Sequence, residues 1–411
     1  MSNILNDPTL YYYTFLPRWY SNSGDIDKEN HWNVIQEMII AAWDWVHTSG
    51  MQKMVPIKKS FEKDINRREN IRLIGTEWLH SNSYSFLLEA RALLDIVYLQ
   101  IGISKNGRHH ENTFSSLRMH LNSSSFFPTI SNNRIKIGDA YCFYAELTET
   151  DNHAEVARQC FDEWEQNKEA EILTLHFPWG SISFSESYSN IILVQAKEEK
   201  NSIDSASYFL NFIFPRFMLS YRKAELEYDD YELRLRKEVE IIERELKESI
   251  KGHERTGSLS FLEERILEIS RLQDTLVEKL ADVRQKLITI EANSRNIKLI
   301  LKDPILKPQQ EIMYVHFGDK WNLAIEQMKL DLNYFQLRNE DALLTLQTLH
   351  TFVDIKRGKT DRLMVIILGI VGGIIAISDA LSEIPLYFRI LLIVVVIIWG
   401  IITWIIKQEK K

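Results

Sequence analysis

The chain has 411 residues, 45% of them hydrophobic and 26% charged, with a formal net charge of −8 at neutral pH. The acidic balance speaks against broad binding of nucleic acid. Two cysteines, Cys142 and Cys160, leave no disulfide framework to expect.

Met1–Trp19 carries Asp7 and several tyrosines and lacks the basic-then-apolar pattern of a signal peptide. Residues 1–220 read as a mixed α/β sensor domain. His31–His47 has a helical stripe at Trp32, Ile35, Ile39, Trp43 and Val46, and Tyr84–Ile101 repeats it at Leu87, Ala90, Leu94, Val97 and Ile101. Arg134–Leu147, Ile172–Phe177, Ser181–Phe184 and Ile191–Ala196 are short, β-branched or aromatic, and predict strands, with a helix over His153–Gln166 between them. Such an order predicts an α+β or α/β layer.

Ser104–Arg134 reads as a polar loop, with a turn at Asn106-Gly107. Its basic residues Lys105, Arg108, His109, His110, Arg118 and His120 form a candidate ligand site. Charge-assisted hydrogen bonds from such groups suit the phosphates of a nucleotide. The plainer reading is a solvated loop.

Residues 221–302 change to a charged, proline-poor composition and predict an antiparallel helical hairpin. A helix over about Leu219–Ile250 carries Val239, Ile242 and Leu246, and Gly252–Ser258 is where the chain can reverse. From Leu262 a 4-3 heptad runs through Ile266, Ile269, Gln273, Leu276, Leu280, Val283, Leu287, Ile290, Ser294 and Ile297, a coiled-coil signal. Ser260 and Glu263 offer a capping box. The acidic run Glu225, Glu227, Asp229, Asp230 and Glu232 suits Mg²⁺ by ligand type, although such runs on helices are commonly solvated faces.

Lys302–Pro308 ends the hairpin, and residues 310–361 predict a stalk helix. The single Gly358 costs a helix only about 1 kcal/mol, so the stalk is expected to run on. Two apolar runs come next, Leu363–Ser378 and Ile390–Ile406, joined by Asp379–Arg389. Each covers roughly 24–26 Å as a helix, close to a hydrocarbon core of ~30 Å. They predict a two-helix transmembrane hairpin with spans at 362–381 and 389–406 and a basic tail at 407–411. Lys356, Arg357, Lys359 and Arg362 before the first span, and Lys407, Lys410 and Lys411 after the second, place both termini in the cytoplasm. The expected location is therefore the inner (plasma) membrane, multi-pass, with lipid as a partner.

This order of parts, carried by the heptads at 262–297, the stalk at 319–358, the Lys356–Arg362 collar and the two apolar runs, resembles the CorA superfamily of divalent-cation channels. The resemblance implies a homopentamer whose first spans line a pore. Thr360, Met364, Ile367, Val371, Ile374 and Ser378 share the stripe that would face the axis. The family's Gly-x-Asn signature is absent, and Asp379 and Glu383 stand near its place as a candidate outer acidic ring. Relatives lacking that signature include antiviral, type III CRISPR-associated effectors that respond to a nucleotide second messenger.

The expected function is a ligand-gated membrane ion channel of that effector kind. The alternatives are a Mg²⁺ or divalent metal transporter gated by its own ion, and a non-conducting membrane-anchored coiled-coil interaction protein. Enzymatic motifs do not assemble. Gly358-Lys359-Thr360 has Val353 where a P-loop needs glycine, and His153-x-Glu155 has no Pro-Cys-x-x-Cys after it. Neither Gly-x-Ser-x-Gly nor Gly-x-Gly-x-x-Gly occurs, so no catalysis is expected.

Overall fold

In the computed structural model of the chain the described residues are 4–17, 37–42, 44–45, 71–75, 79–80, 83–93, 96–110, 113–124, 127, 137–147, 153–165, 172–185, 191–251 and 258–380, with isolated positions beyond. The chain divides into two units. One is Met1–Leu235 with Val283–Leu330, and the other is Arg236–Asp282 with Asp331–Lys411.

The first unit is built on one mixed sheet. Its strands are β1 (Ile4–Pro17), β2 (Ile71–Gly75), β3 (Leu79–His80), β4 (Tyr84–Leu93), β5 (Ile96–Lys105), β6 (Arg108–His110), β7 (Gly138–Leu147), β8 (Ile172–Phe177), β9 (Gly180–Ser185) and β10 (Ile191–Lys197). They lie in the order β2-β4-β5-β1-β7-β10-β9-β8, with β3 on β4 and β6 on β1. Only β7 and β10 pair in parallel among the described strands.

Alternation along β1 serves two cores. Leu10, Tyr12 and Leu16 join Ile101, Ile103, Phe143 and Leu193 on one face. Met38 and Ile39, with Phe114 and Leu117 of α1 (Thr113–Asn122) and Val156 and Phe161 of α2 (His153–Glu165), cover that face. The other face, holding Tyr11, Tyr13 and Phe15, lies under α3 (Lys200–Tyr208), a π-helical turn π1 (Phe209–Ile213) and α4 (Phe214–Asp230). There the Tyr13 ring meets Phe214 edge-on at 5.2 Å, and its buried hydroxyl donates to the Leu210 carbonyl at 3.0 Å. The π turn sits just ahead of Pro215, whose ring nitrogen cannot donate to the Asn211 carbonyl. An inserted residue and a side-chain donor accommodate the break.

Sheet pairing overrides one local expectation. Tyr84–Ile101, expected as a helix, is instead the antiparallel pair β4 and β5, with Tyr84 opposite Lys105 and Leu93 opposite Ile96. Every β5 residue from Ile96 to Ser104 is buried. Burial on both faces erases the two-residue alternation that would have marked a strand. The expected polar loop after Ser104 likewise contains β6 and α1.

The second unit is three helical segments: α5 (Arg236–Lys251), α6 (Leu259–Ile300) as far as Asp282, and α7 (Gln310–Ala380) from Asp331. Ser249 donates to Glu268 at 2.9 Å and Lys279 meets Glu238 at 2.8 Å, so α5 and α6 run antiparallel. Arg236 reaches Asp331 at 3.2 Å and Glu243 reaches Arg338 at 3.1 Å, which sets α7 parallel to α5. Leu246, Ile269, Leu276, Ala342 and Leu349 are buried between them. The polar heptad residue Gln273 donates to Asn339 at 3.3 Å, giving this seam a fixed register.

The expected membrane hairpin is corrected. No helix among the described residues is long and apolar enough to cross a membrane. Residues 362–380 of the expected first span form the end of α7, and Leu381 lies outside the described residues. The expected inner-membrane location and the pore built on these residues therefore do not stand. Thr360 donates to the Lys356 carbonyl at 3.0 Å on the helix's own surface, and Met364, Ile367 and Val371 are exposed. Ile374, Ser378 and Asp379 have backbone positions within α7, but their side chains lie outside the described set. Glu383 and nearly all of 389–411 lie outside the described residues.

Two substitutions test this architecture. A Cβ at Gly180 would run into the Gln195 carbonyl of the neighbouring strand. Gly180→Ala is therefore expected to cost about 3 kcal/mol or more in denaturant titration. Leu276→Ala empties a fully buried position of the helical unit and should cost about 2–5 kcal/mol, with faster hydrogen exchange in α5 and α6.

Candidate ligand site

The sheet face beneath α3 carries a crosswise row of hydroxyl side chains. Ser85 of β4 pairs with Ser104 of β5, Ser104 with Thr9 of β1, and Thr9 with Tyr144 of β7. Four adjacent strands thus place four hydroxyl residues side by side. Because side chains alternate across a strand, all four point away from the Leu10–Phe143 core.

An irregularity at the start of β1 shapes the rim. The register slips between Asn6 and Thr9, and Asp7 takes φ +42°, a left-handed conformation that Asp tolerates better than most residues. Its N–H donates to the Gly107 carbonyl at 3.0 Å, while the Gly107 N–H donates to Asp7 Oδ1 at 2.8 Å. Gly107, at φ +94°, closes the tight Asn106-Gly107 turn between β5 and β6. This reciprocal pair locks Asp7 beside Asn106 at the edge of the hydroxyl row.

Row and rim enclose an open pocket of 390 Å³. Tyr11 and Glu146 complete its floor, and Ile203, Ser207 and Leu210 form the roof. No lysine, arginine or histidine is among its described lining residues.

Most hydroxyl protons in the floor are already committed to protein acceptors. Ser85 donates to Asn106 Oδ1 at 2.5 Å and Thr9 to the Asp7 carbonyl at 2.9 Å. Ser104 donates over a longer 3.5 Å to the Pro8 carbonyl. Tyr144 donates to Glu146 Oε1 at 3.2 Å, and its phenol stays protonated because burial, followed by Glu146, raises its pKa far above the ordinary value. At the roof Ser207 accepts from Asn211 at 3.2 Å and keeps its own proton to donate.

Glu146 is a carboxyl of the pocket whose ionisation the fold disfavours. Partial burial pushes its carboxyl above the usual glutamate range, and the Tyr144 hydroxyl partly offsets this. Asp7 and Glu198 push it further up.

Of the basic residues singled out from sequence, Lys105, His109, Arg118 and His120 are not among the described lining residues, and the side chains of Arg108 and His110 lie outside the described set. Lys105 ends β5, and Arg108 and His110 occupy backbone positions opposite Asn6 and Ile4. His109 Nε2 sits 2.8 Å from the Asn106 carbonyl. Arg118 and His120 belong to α1, which packs on the other face of the sheet. There His120 stacks on Tyr84 with ring centroids 5.0 Å apart, and burial lowers its pKa.

Three of the five residues of the acidic run, Glu225, Glu227 and Asp230, are held in ion pairs. Lys286 meets both Glu227 and Asp230 at 2.7 Å, and Glu225 pairs with Arg222. Asp230 is held down to about 2 by Arg234 and Lys286, despite its partial burial. Among the described residues no group of three or more His, Cys, Asp or Glu side chains is placed to hold a metal ion.

The pocket residues escaped the sequence reading, although one signal was present. Thr9-Leu10-Tyr11, Ser85-Phe86, Ile103-Ser104 and Tyr144-Ala145-Glu146 each alternate polar with apolar. What brings them together is inter-strand register, which no local pattern carries. No protein-family model matches the chain, and no curated protein matches it.

The raised pKa of Glu146 has a defined sign in stability. Folding disfavours its carboxylate, so the penalty is present above the folded-state pKa and disappears as pH falls toward the unfolded-state value. Glu146→Gln should therefore raise the melting temperature at pH 7, with the gap closing near about pH 4. A pH series of thermal melts on both proteins checks this.

Proposed function

We propose that the protein is a small-molecule sensor. Its ligand occupies the pocket between the hydroxyl row and α3–π1, and the helical unit carries the output. The observation behind this reading is a recessed polar floor drawn from four strands, roofed by a helix with a built-in irregularity. Polar groups convergent in a concave site are the usual mark of ligand binding, and π turns recur at functional sites.

Ile203 and Ser207 lie on α3 and Leu210 on π1, so a bound molecule touches both α3 and the π turn that follows it. A ligand that contacts one setting of that turn better than another shifts the balance between them. The geometry supports sensing, the part of the sequence expectation that concerns the N-terminal domain.

The test is thermal melting of the full chain with and without a deproteinised cell extract. A ligand at 100 times its Kd stabilises by about 2.7 kcal/mol, a shift of several degrees. The exposed Ser207 tolerates a large side chain, and Ser207→Trp would block the roof. The wild type should gain stability and Ser207→Trp should not. An equal gain in both would remove the pocket as the sensor.

A further inference from the structure

The geometry points to a donor-rich cation, a small hydroxylated or polyamine-like molecule bearing a primary ammonium or guanidinium group, as the ligand of this pocket. The inference rests on the sensor reading and specifies its chemistry.

The floor is an acceptor surface. Thr9, Ser104 and Tyr144 each give their hydroxyl proton to a protein oxygen. A hydroxyl that donates inward presents its lone pairs outward, so a ligand over this row must bring its own hydrogens. Asp7 and Glu146 add carboxylate oxygens at one end, and carboxylates accept strongly from charged N–H donors. An ammonium docked there would also relieve the cost of a half-buried Glu146 carboxylate next to Asp7 and Glu198. The Asn106 amide at the rim and the Ser207 hydroxyl at the roof remain to meet a ligand hydroxyl.

The same features work against phosphate. A dianion over this floor would face lone pairs and carboxylates, with no lysine, arginine or histidine among the described lining residues to neutralise it. The phosphate-bearing nucleotide expected from the resemblance is thus poorly matched to this pocket.

Calorimetric titration of the full-length protein with agmatine, spermidine and glucosamine, against glucose, glucose 6-phosphate and AMP, decides the matter. At least one amine probe should bind, at least tenfold tighter than glucose or either phosphate. Glu146→Gln should weaken that binding at least tenfold, and Ser207→Trp should abolish it.

Absence of binding by all three amines at millimolar concentration would overturn the ligand class. So would tighter binding of a phosphate probe. If that phosphate binding were lost in Ser207→Trp, the pocket would stand and only the class would fall. Amine binding undiminished in both variants would place the ligand elsewhere and overturn the site as well. Far-ultraviolet circular dichroism and melting of each variant verify that a lost signal reflects the site and not the fold.

Discussion

Strand β1 is paired on both sides, with β5 along Thr9–Pro17 and with β7 along Asn6 and Thr9–Phe15. Its register is therefore fixed twice. One set of its alternating side chains enters the Leu10–Tyr12–Leu16 core, and the other lies beneath α3, π1 and α4. A one-residue slip of this strand would exchange the two sets, burying Thr9 among leucines and turning Leu10 toward the pocket. The hydroxyl row and the covering helices both exist only because that slip is prevented. Tyr13 joins the layers further by tying β1 to the Leu210 carbonyl.

The helical half of the chain was largely legible in its sequence, because its structure is set by local period. The heptad residues Leu262, Ile269, Leu276, Val283, Ile290 and Ile297 are all buried, and α7 passes Gly358 without a break. Positions three and four apart on a helix meet the same neighbour whatever the rest of the fold does. The run after Arg362 shows the limit of composition. Apolar content suggested a solvent for that segment, while a span also requires continuous length within one helix. No helix among the described residues is long and apolar enough to meet that requirement.

The sheet was legible where a strand is bounded by turn residues, and the strand expected over Arg134–Leu147 appears as β7, Gly138–Leu147. β8, β9 and β10 stand close to their expected limits because Gly180 and the residues around Asn190 punctuate them. β4 and β5 did not, since burial on both faces gives the same apolar density that a core helix has. The pocket was hidden for a related reason. Its polar residues sit singly on different strands, and their proximity is a product of pairing between segments as much as 135 residues apart, as for Thr9 and Tyr144. The basic cluster was conspicuous in sequence because it is contiguous, yet β6 and α1 divide it between different parts of the sheet.

The π turn ahead of Pro215 carries one residue more than an α-helix would use for the same advance. Drawing that residue out would rewind α3 by about 100° relative to α4. Ser207 would swing off the pocket while the exposed aromatic next to it, Tyr208, came round toward the vacated place. The fold thus holds a spare step between two screw settings, and the proline prevents the chain from absorbing it unnoticed.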